Sequence, residues 1–170
     1  GRRAAFREMM PSNSVAVIFA ASERLFANDV NYPFHQDPDF YYLTGCLEPN
    51  SALIIFKDNQ REEESTYNEI LFIRERDSRV ELFEGPRLGI EGAMASLKIS
   101  HAKYSSEFKD FPIDIGSFEV VLYGDIPYDA QDLPGVYDMQ DFYNDFIAKT
   151  GIVVDIGDKV LKQLHRRCKN

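Results

Sequence analysis

Short runs of consecutive apolar residues are the clearest pattern along this chain of 170 residues. A run that is apolar at every position fits a strand buried on both faces of a sheet, because a half-exposed strand alternates apolar and polar residues. We predict four such inner strands, at residues 15–20, 52–56, 70–73 and 120–123. The polar stretch 57–69 carries a run of charges, which predicts a solvated loop between two adjacent strands. An antiparallel arrangement of that pair would make the sheet mixed.

Apolar residues at helical spacing lie between these runs and predict helices there. Asp37 followed by Pro38 is a typical helix start, since aspartate caps free backbone N–H groups and proline fits the first turn. Gly45 is a typical helix stop. Further helices are predicted in the ranges 4–10, 90–97, 139–147 and 160–168. Buried strands that alternate with helices predict an α/β protein with three α/β/α layers around a central mixed sheet.

Composition narrows the class of protein. The 19 Lys and Arg residues against 28 Asp and Glu give a net charge of −9. We expect no nucleic-acid partner, because phosphate binding needs clustered basic residues. We expect no membrane partner either, since no apolar run approaches the roughly 20 residues of a membrane span. Cys46 and Cys168 lie far apart and outside any CxxC pair, which predicts reduced thiols and a cytoplasmic location.

Familiar catalytic and metal-binding motifs are missing from the sequence. We find no phosphate-binding glycine loop, no zinc-protease motif and no nucleophile elbow. None of the three histidines, His35, His101 and His165, has a second ligand at metal-binding spacing on an evident helix face. We therefore predict that this chain contains no catalytic residue, no metal ligand and no cofactor.

Two multi-residue motifs stand out from this background. The first reads YPFHQ at residues 32–36, DFYYLTG at 39–45 and EP at 48–49, ahead of a buried strand. The second includes ELFEGPRLG at residues 81–89. Their order and distance resemble the N-terminal domain of aminopeptidase P, the Xaa-Pro aminopeptidase of the creatinase and prolidase group. The resemblance covers most of residues 1–125.

The resemblance implies a fold and an activity for the longer protein. The fold is that of the creatinase and prolidase N-terminal domain, and the enzyme removes the N-terminal residue that precedes proline. In this family the peptidase site lies in a C-terminal domain that holds two metal ions, usually manganese. None of that domain is in this chain. Residues 1–170 are therefore expected to form a single accessory N-terminal domain, whose last residues lead toward a linker.

Partners and two site residues also follow from the resemblance. The implied partners are the chain's own C-terminal catalytic domain, further copies in a dimer or tetramer, and proline-containing peptides. In the family, an aromatic residue at the position of Phe83 reaches the mouth of a neighbouring subunit's active site. An acidic residue matching Asp29 lies near such an entrance in some members. The resemblance thus assigns Phe83 and Asp29 to substrate access.

The sequence departs from the family pattern at two positions. His35 stands where arginine is usual, and Phe83 stands where some members carry tryptophan. We expect Phe83 to be partly exposed, on an extended segment that turns Leu82 and Phe83 to opposite faces. The alternative is that Phe83 packs beside Leu82 and Leu88 inside its own domain.

Other functions stay open on the sequence alone. The same domain also fits a prolidase that takes dipeptides, or a creatinase-like amidinohydrolase. A different class is a free-standing peptide-binding or assembly module with no active enzyme attached, as in histone chaperones that carry related domains. A metal-ligand set downstream of Asn170 would separate the enzymes from this last class.

Overall fold

A computed structural model describes residues 1–22, 35–124 and 136–150. Its strands are β1 (Ser14–Phe19), β2 (Ala52–Glu62), β3 (Ser65–Ile73), β4 (Ala102–Tyr104) and β5 (Val120–Tyr123). Its α-helices are α1 (Arg2–Glu8), α2 (Pro38–Thr44), α3 (Ser78–Glu84), α4 (Gly89–Leu97) and α5 (Met139–Thr150). Two short 3₁₀ helices lie at Ser105–Phe108 and Ile115–Ser117.

The five strands of the described residues form one mixed sheet, as predicted, in the order β4-β3-β2-β1-β5. Strand β2 pairs antiparallel with both β1 and β3. Strand β5 is parallel to β1, and β4 is parallel to β3. Four strands therefore run in one direction and β2 runs against them. The carboxyl ends of these four strands and the amino end of β2 lie at the same side of the sheet, which we call the carboxyl edge.

The sheet buries both of its faces. On one face, alternate strand residues including Ala16, Leu53 and Leu71 pack with Phe6 of α1 and Phe40 of α2. On the other face, the intervening strand residues, among them Val17, Ile54 and Phe72, pack against α5 and the two 3₁₀ helices. These helices contribute Phe108, Phe142 and Phe146. Helices cover both sides, so the predicted three-layer α/β/α architecture is confirmed.

The predicted start and stop of α2 are also observed. The Asp37 carboxylate accepts a hydrogen bond from the backbone N–H of Phe40 at 2.9 Å, which satisfies a free donor of the first turn. Gly45 ends the helix with a φ of 73°, a left-handed conformation that suits glycine. The helices predicted in the ranges 4–10, 90–97 and 139–147 are present as α1, α4 and α5. The helix predicted at 160–168 lies outside the described residues.

Two expectations about the strands need correction, and two further elements were not predicted. Residues 57–69 are not a loop, because β2 and β3 continue through them as a hairpin that turns at Glu63 and Glu64. The charges misled the prediction: this end of the hairpin is largely exposed, so both strands carry charged residues there, while Tyr67 packs its ring on Phe56. Among the described strands β5 lies at the end of the sheet rather than inside it, and β4 and α3 were not predicted.

Helix α5 provides a test of this packing. Phe142 is fully buried between the rings of Phe108 and Tyr137, whose centroids lie 5.2 and 4.8 Å from its own. Phe142→Ala should lower the free energy of unfolding by about 3–5 kcal/mol, because it leaves a cavity. Tyr143→Ala on the same helix is the control, since Tyr143 is half-exposed and should cost much less. Urea unfolding followed by circular dichroism measures both, and equal losses would contradict the assigned face of α5.

Candidate functional site

The carboxyl edge brings together the two sequence motifs that stood out. The segment 45–51, which precedes β2, lies beside the segment 74–88, which follows β3. Glu48 joins them: one carboxylate oxygen accepts a hydrogen bond from Arg74 Nε at 2.7 Å. The other oxygen accepts from the backbone N–H of Leu88 at 2.8 Å, immediately before α4. Glu48 is buried, so these charge-assisted bonds form largely out of water, where they are strong.

Gln36 makes a second connection at this edge. Its side-chain oxygen accepts from the backbone N–H groups of Ala21 and Asp37, at 2.8 and 2.9 Å. Its side-chain nitrogen donates to the carbonyl oxygens of Cys46 and Glu48, at 3.3 and 2.9 Å. One amide therefore links the residues after β1, the start of α2 and the segment before β2. This explains in physical terms why glutamine ends the YPFHQ motif.

Helix α3 is the most exposed element of the edge. None of its residues is buried. Asp77 caps its first turn by accepting from the backbone N–H of Arg79 at 3.0 Å, and Gly85 ends it. The side chain of Glu81 points back to the segments on either side of the helix. Its Oε1 accepts from Arg76 Nη2 at 3.0 Å and from the backbone N–H of Arg87 at 2.7 Å.

Phe83 projects from this helix into solvent. Its exposure is 91%, and that of its neighbour Leu82 is 84%. The predicted exposure of Phe83 is therefore observed, and packing beside Leu82 and Leu88 in its own domain is not. The predicted extended segment is wrong, because the segment is helical and both apolar side chains face outward. Capping by Asp77 and the backward reach of Glu81 explain why a helix forms here.

The other predicted site residue cannot be placed: Asp29 lies outside the described residues. His35, the departure from the expected pattern, is exposed. Sequence reasoning missed the roles of Glu48, Gln36 and Glu81, although all three lie inside the quoted motifs. Gln36 next to the start of α2 and Glu81 in the first turn of α3 are local signals for an acceptor of free backbone donors, but they do not tell which donors the fold brings near.

Cys46 is a buried free cysteine in the described part of the chain, and its surroundings disfavour a role as a nucleophile. Burial raises the pKa of its thiol to about 11, so the reactive thiolate is scarce at neutral pH. The backbone N–H of Glu48 donates to its sulfur at 3.4 Å. Cys46 is thus a packed thiol of the segment before β2.

Within 1–22, 35–124 and 136–150, no group of three or more His, Cys, Asp or Glu residues could hold a metal ion. The described residues therefore do not fit the two-metal centre, which the resemblance places in a separate catalytic domain. No helix in the same ranges is both long and apolar enough to cross a membrane.

Comparison with known proteins agrees with this geometry. Residues 1–117 match the family described as aminopeptidase P, N-terminal domain. The chain belongs to this family. It is 41% identical to the Xaa-Pro aminopeptidase of Haemophilus influenzae over 107 residues, which are 63% of this chain and 24% of that relative. The chain thus spans about a quarter of the length of this curated relative.

Solved structures share the fold of this aminopeptidase P domain. One is aminopeptidase P from E. coli with the inhibitor Pro-Leu, and another is the zinc-substituted E. coli enzyme in complex with product. In both cases the TM-score is 0.65 at 31% sequence identity. The similarity covers 88% of this chain and 30% of each solved chain. The fold assigned above is therefore that of the aminopeptidase P N-terminal domain.

The double role of Glu48 can be tested by its removal. Glu48→Ala should lower the free energy of unfolding by about 2–4 kcal/mol, because Arg74 and the Leu88 N–H lose a charged partner out of water. Glu62→Ala is the matched control, since it breaks the more exposed ion pair with Lys103 and should cost less than about 1 kcal/mol. Urea unfolding measures the loss of unfolding free energy in both variants. Equal losses would contradict the role of Glu48.

Proposed function

We propose that this chain is the non-catalytic N-terminal domain of a metal-dependent Xaa-Pro aminopeptidase. The enzyme would remove the N-terminal residue that precedes proline, with manganese the expected metal of a C-terminal catalytic domain. The family assignment and the name of the curated relative support this activity. In this proposal residues 1–170 form one accessory domain, the longer protein is cytoplasmic, and its metal ligands lie outside the described residues.

The exposed pair Leu82 and Phe83 carries the proposal for what the domain does. Burying a phenylalanine side chain is worth about 1.5–3 kcal/mol, and here that energy is not used within the domain. The pair sits on a capped helix that Glu81 connects on both sides, so it is presented in a defined place. An apolar pair presented in this way suits a contact with another surface.

We infer that this surface is a neighbouring subunit of the same enzyme, in a dimer or tetramer. Phe83 would lie at the mouth of that subunit's active site and narrow it to small proline-containing peptides, and Asp29 would lie near the entrance. The contact with the chain's own catalytic domain would then involve other parts of the molecule. Phe83 supplies a rigid apolar wall with only two side-chain torsions to restrict.

A prolidase, a creatinase-like enzyme and an inactive assembly module remain the competing functions. The name of the curated relative favours the aminopeptidase over all three. Hydrolysis of Xaa-Pro peptides longer than a dipeptide by the full-length protein would separate the aminopeptidase from a prolidase. Failure to hydrolyse any of these peptides would favour the inactive module.

The 170-residue chain by itself should not hydrolyse Xaa-Pro peptides, with or without Mn²⁺. The reason is that its described residues provide no metal-ligand set. The measurement is release of the N-terminal amino acid by the purified chain, with the full-length protein as positive control. Activity that follows the peak of the chain through a second chromatographic step would refute the prediction.

Phe83→Ala in the full-length protein should lower kcat/KM on a Xaa-Pro peptide by an amount equivalent to about 1–3 kcal/mol. The substitution removes positioning and water exclusion rather than a metal ligand. The melting temperature should hardly change, because the ring makes no core contact. Asp29→Asn should have a weaker effect, mainly on substrate entry.

Leu82→Ala is the matched control for this experiment, since Leu82 is the adjacent exposed apolar residue of the same helix. Leu82→Ala should change the oligomeric state of the enzyme more than it changes the preference for peptides of a given length. Wild-type kinetics together with a large drop in melting temperature for Phe83→Ala would instead identify an ordinary core residue.

A further inference from the structure

Helix α3 needs an external support, because it is only seven residues long and buries none of them. Isolated helices of this length are unstable in water. Phe83 can therefore hold a defined orientation only if other residues fix the helix. The contacts of α3 point to the side chain of Glu81 as that support.

Glu81 connects three consecutive pieces of the chain. Its own backbone is in α3, Arg76 lies before the helix, and Arg87 lies after the turn at Gly85. Both nitrogens of the Arg76 side chain that face it, Nε and Nη2, lie within 3.2 Å of the same carboxylate oxygen. The backbone N–H of Arg87 donates to that oxygen at 2.7 Å. Although the helix is exposed, the side chain of Glu81 is only 11% exposed.

Arg76 is itself held in place by Gly89, the first residue of α4. A Cβ atom at position 89 would lie 2.8 Å from Cδ and 2.9 Å from Cγ of Arg76, so the arginine stem packs directly on the glycine backbone. Gly89 also has a φ of 67°, which disfavours other residues. A series of contacts thus runs from Gly89 of α4 to Arg76 and from Arg76 to Glu81. These contacts connect the exposed helix α3 to the packed helix α4.

We propose that Glu81 is a positioning residue: its ionised carboxylate fixes α3 between Arg76 and Arg87 and thereby sets the direction in which Phe83 projects. The consequence for substrate access rests on the proposed function, whereas the fixing of α3 does not. This assignment makes the orientation of Phe83 depend on a single charge that lies two residues before it in the sequence.

The surroundings of Glu81 determine the sign of its pH dependence. Charged neighbours are Arg76 and Asp77 on the segment before α3, Glu84 on α3 itself, and Arg87 after it. The guanidinium of Arg87 points away, toward the carbonyl oxygen of Glu75 and to 3.9 Å from Glu84. The N–H of Arg87, and then Arg76, hold the pKa of Glu81 below its usual range.

A lowered carboxyl pKa in the folded state stabilises the folded arrangement above the ordinary glutamate pKa, which is about 4.3. That contribution is lost as the pH falls through the folded pKa. Helix α3 should therefore be fixed at neutral pH and loosen in acid as Glu81 becomes protonated.

Amide exchange in the 170-residue chain at pH 6.5 tests this role without any measurement of activity. Glu81→Gln keeps an oxygen acceptor but loses the charge, so the amides of Arg87 and Gly85 should exchange about tenfold faster. Glu84→Gln removes a charge from the same helix and should leave both rates unchanged. The amide of Ile54 in β2 reports the stability of the whole domain and should be unaffected in both variants.

A tryptophan at position 83 reports directly on the mobility of the side chain that Glu81 is proposed to orient. The chain contains no tryptophan, so Phe83→Trp creates a single tryptophan at an exposed position, which can be excited selectively at the red edge of the protein absorption. Its anisotropy at pH 6.5 should fall when Glu81→Gln is added and stay constant when Glu84→Gln is added. If Glu81→Gln does not fold, Arg76→Gln removes the same ion pair from the other partner and should give a smaller loss of anisotropy, because the bond from the Arg87 N–H remains.

A pH titration of the Arg87 amide resonance completes the test. It should show a midpoint below about 4.3 that disappears in Glu81→Gln. Equal exchange rates and equal anisotropy in the Glu81→Gln and Glu84→Gln variants would overturn the proposal. Faster exchange of the Arg87 amide without a change in Gly85 exchange or in the anisotropy at position 83 would also overturn it. Normal kinetics of Phe83→Ala would overturn only the proposed function, because these readouts involve no peptide hydrolysis.

Discussion

The direction of β2 is the constraint on which the rest of the structure depends. Because β2 runs against its four neighbours, the segment that leads into it must lie beside the segments that leave the other strands. Residues far apart in sequence therefore meet at the carboxyl edge, Glu48 with Arg74 and Leu88 among them. A parallel β2 would have placed Glu48 at the opposite side of the sheet.

Backbone segments that meet at a sheet edge leave donors and acceptors without partners, and these must be satisfied within the protein where water is excluded. In this domain a few side chains supply the missing partners. Gln36 and Glu48 each bond to groups on two or more segments, and Glu81 does the same around α3. The edge is thus ordered by polar bonds, whereas the two faces of the sheet are ordered by apolar packing.

This division explains how much of the molecule could be predicted from the sequence. Apolar runs and helix signals such as Asp37 and Gly45 are local, and they gave the sheet, its two covered faces and the bounds of α2. The strand character of residues 57–69 was hidden because charges on an exposed strand face resemble those of a loop. The roles of Glu48 and Glu81 depend on which distant backbone donors the fold brings near them, and local sequence does not contain that information.

Helix α3 shows how the polar edge and the exposed apolar pair depend on each other. A segment containing Leu82 and Phe83 would normally turn at least one of them inward, since burial lowers its free energy. Asp77, Glu81 and Gly85 oppose this, because their capping and hydrogen bonds are formed only when the segment is helical and lies outside the core. The polar contacts therefore keep both apolar side chains in solvent. The exposure of Leu82 and Phe83 is thus determined by the polar contacts of the same short segment that carries them.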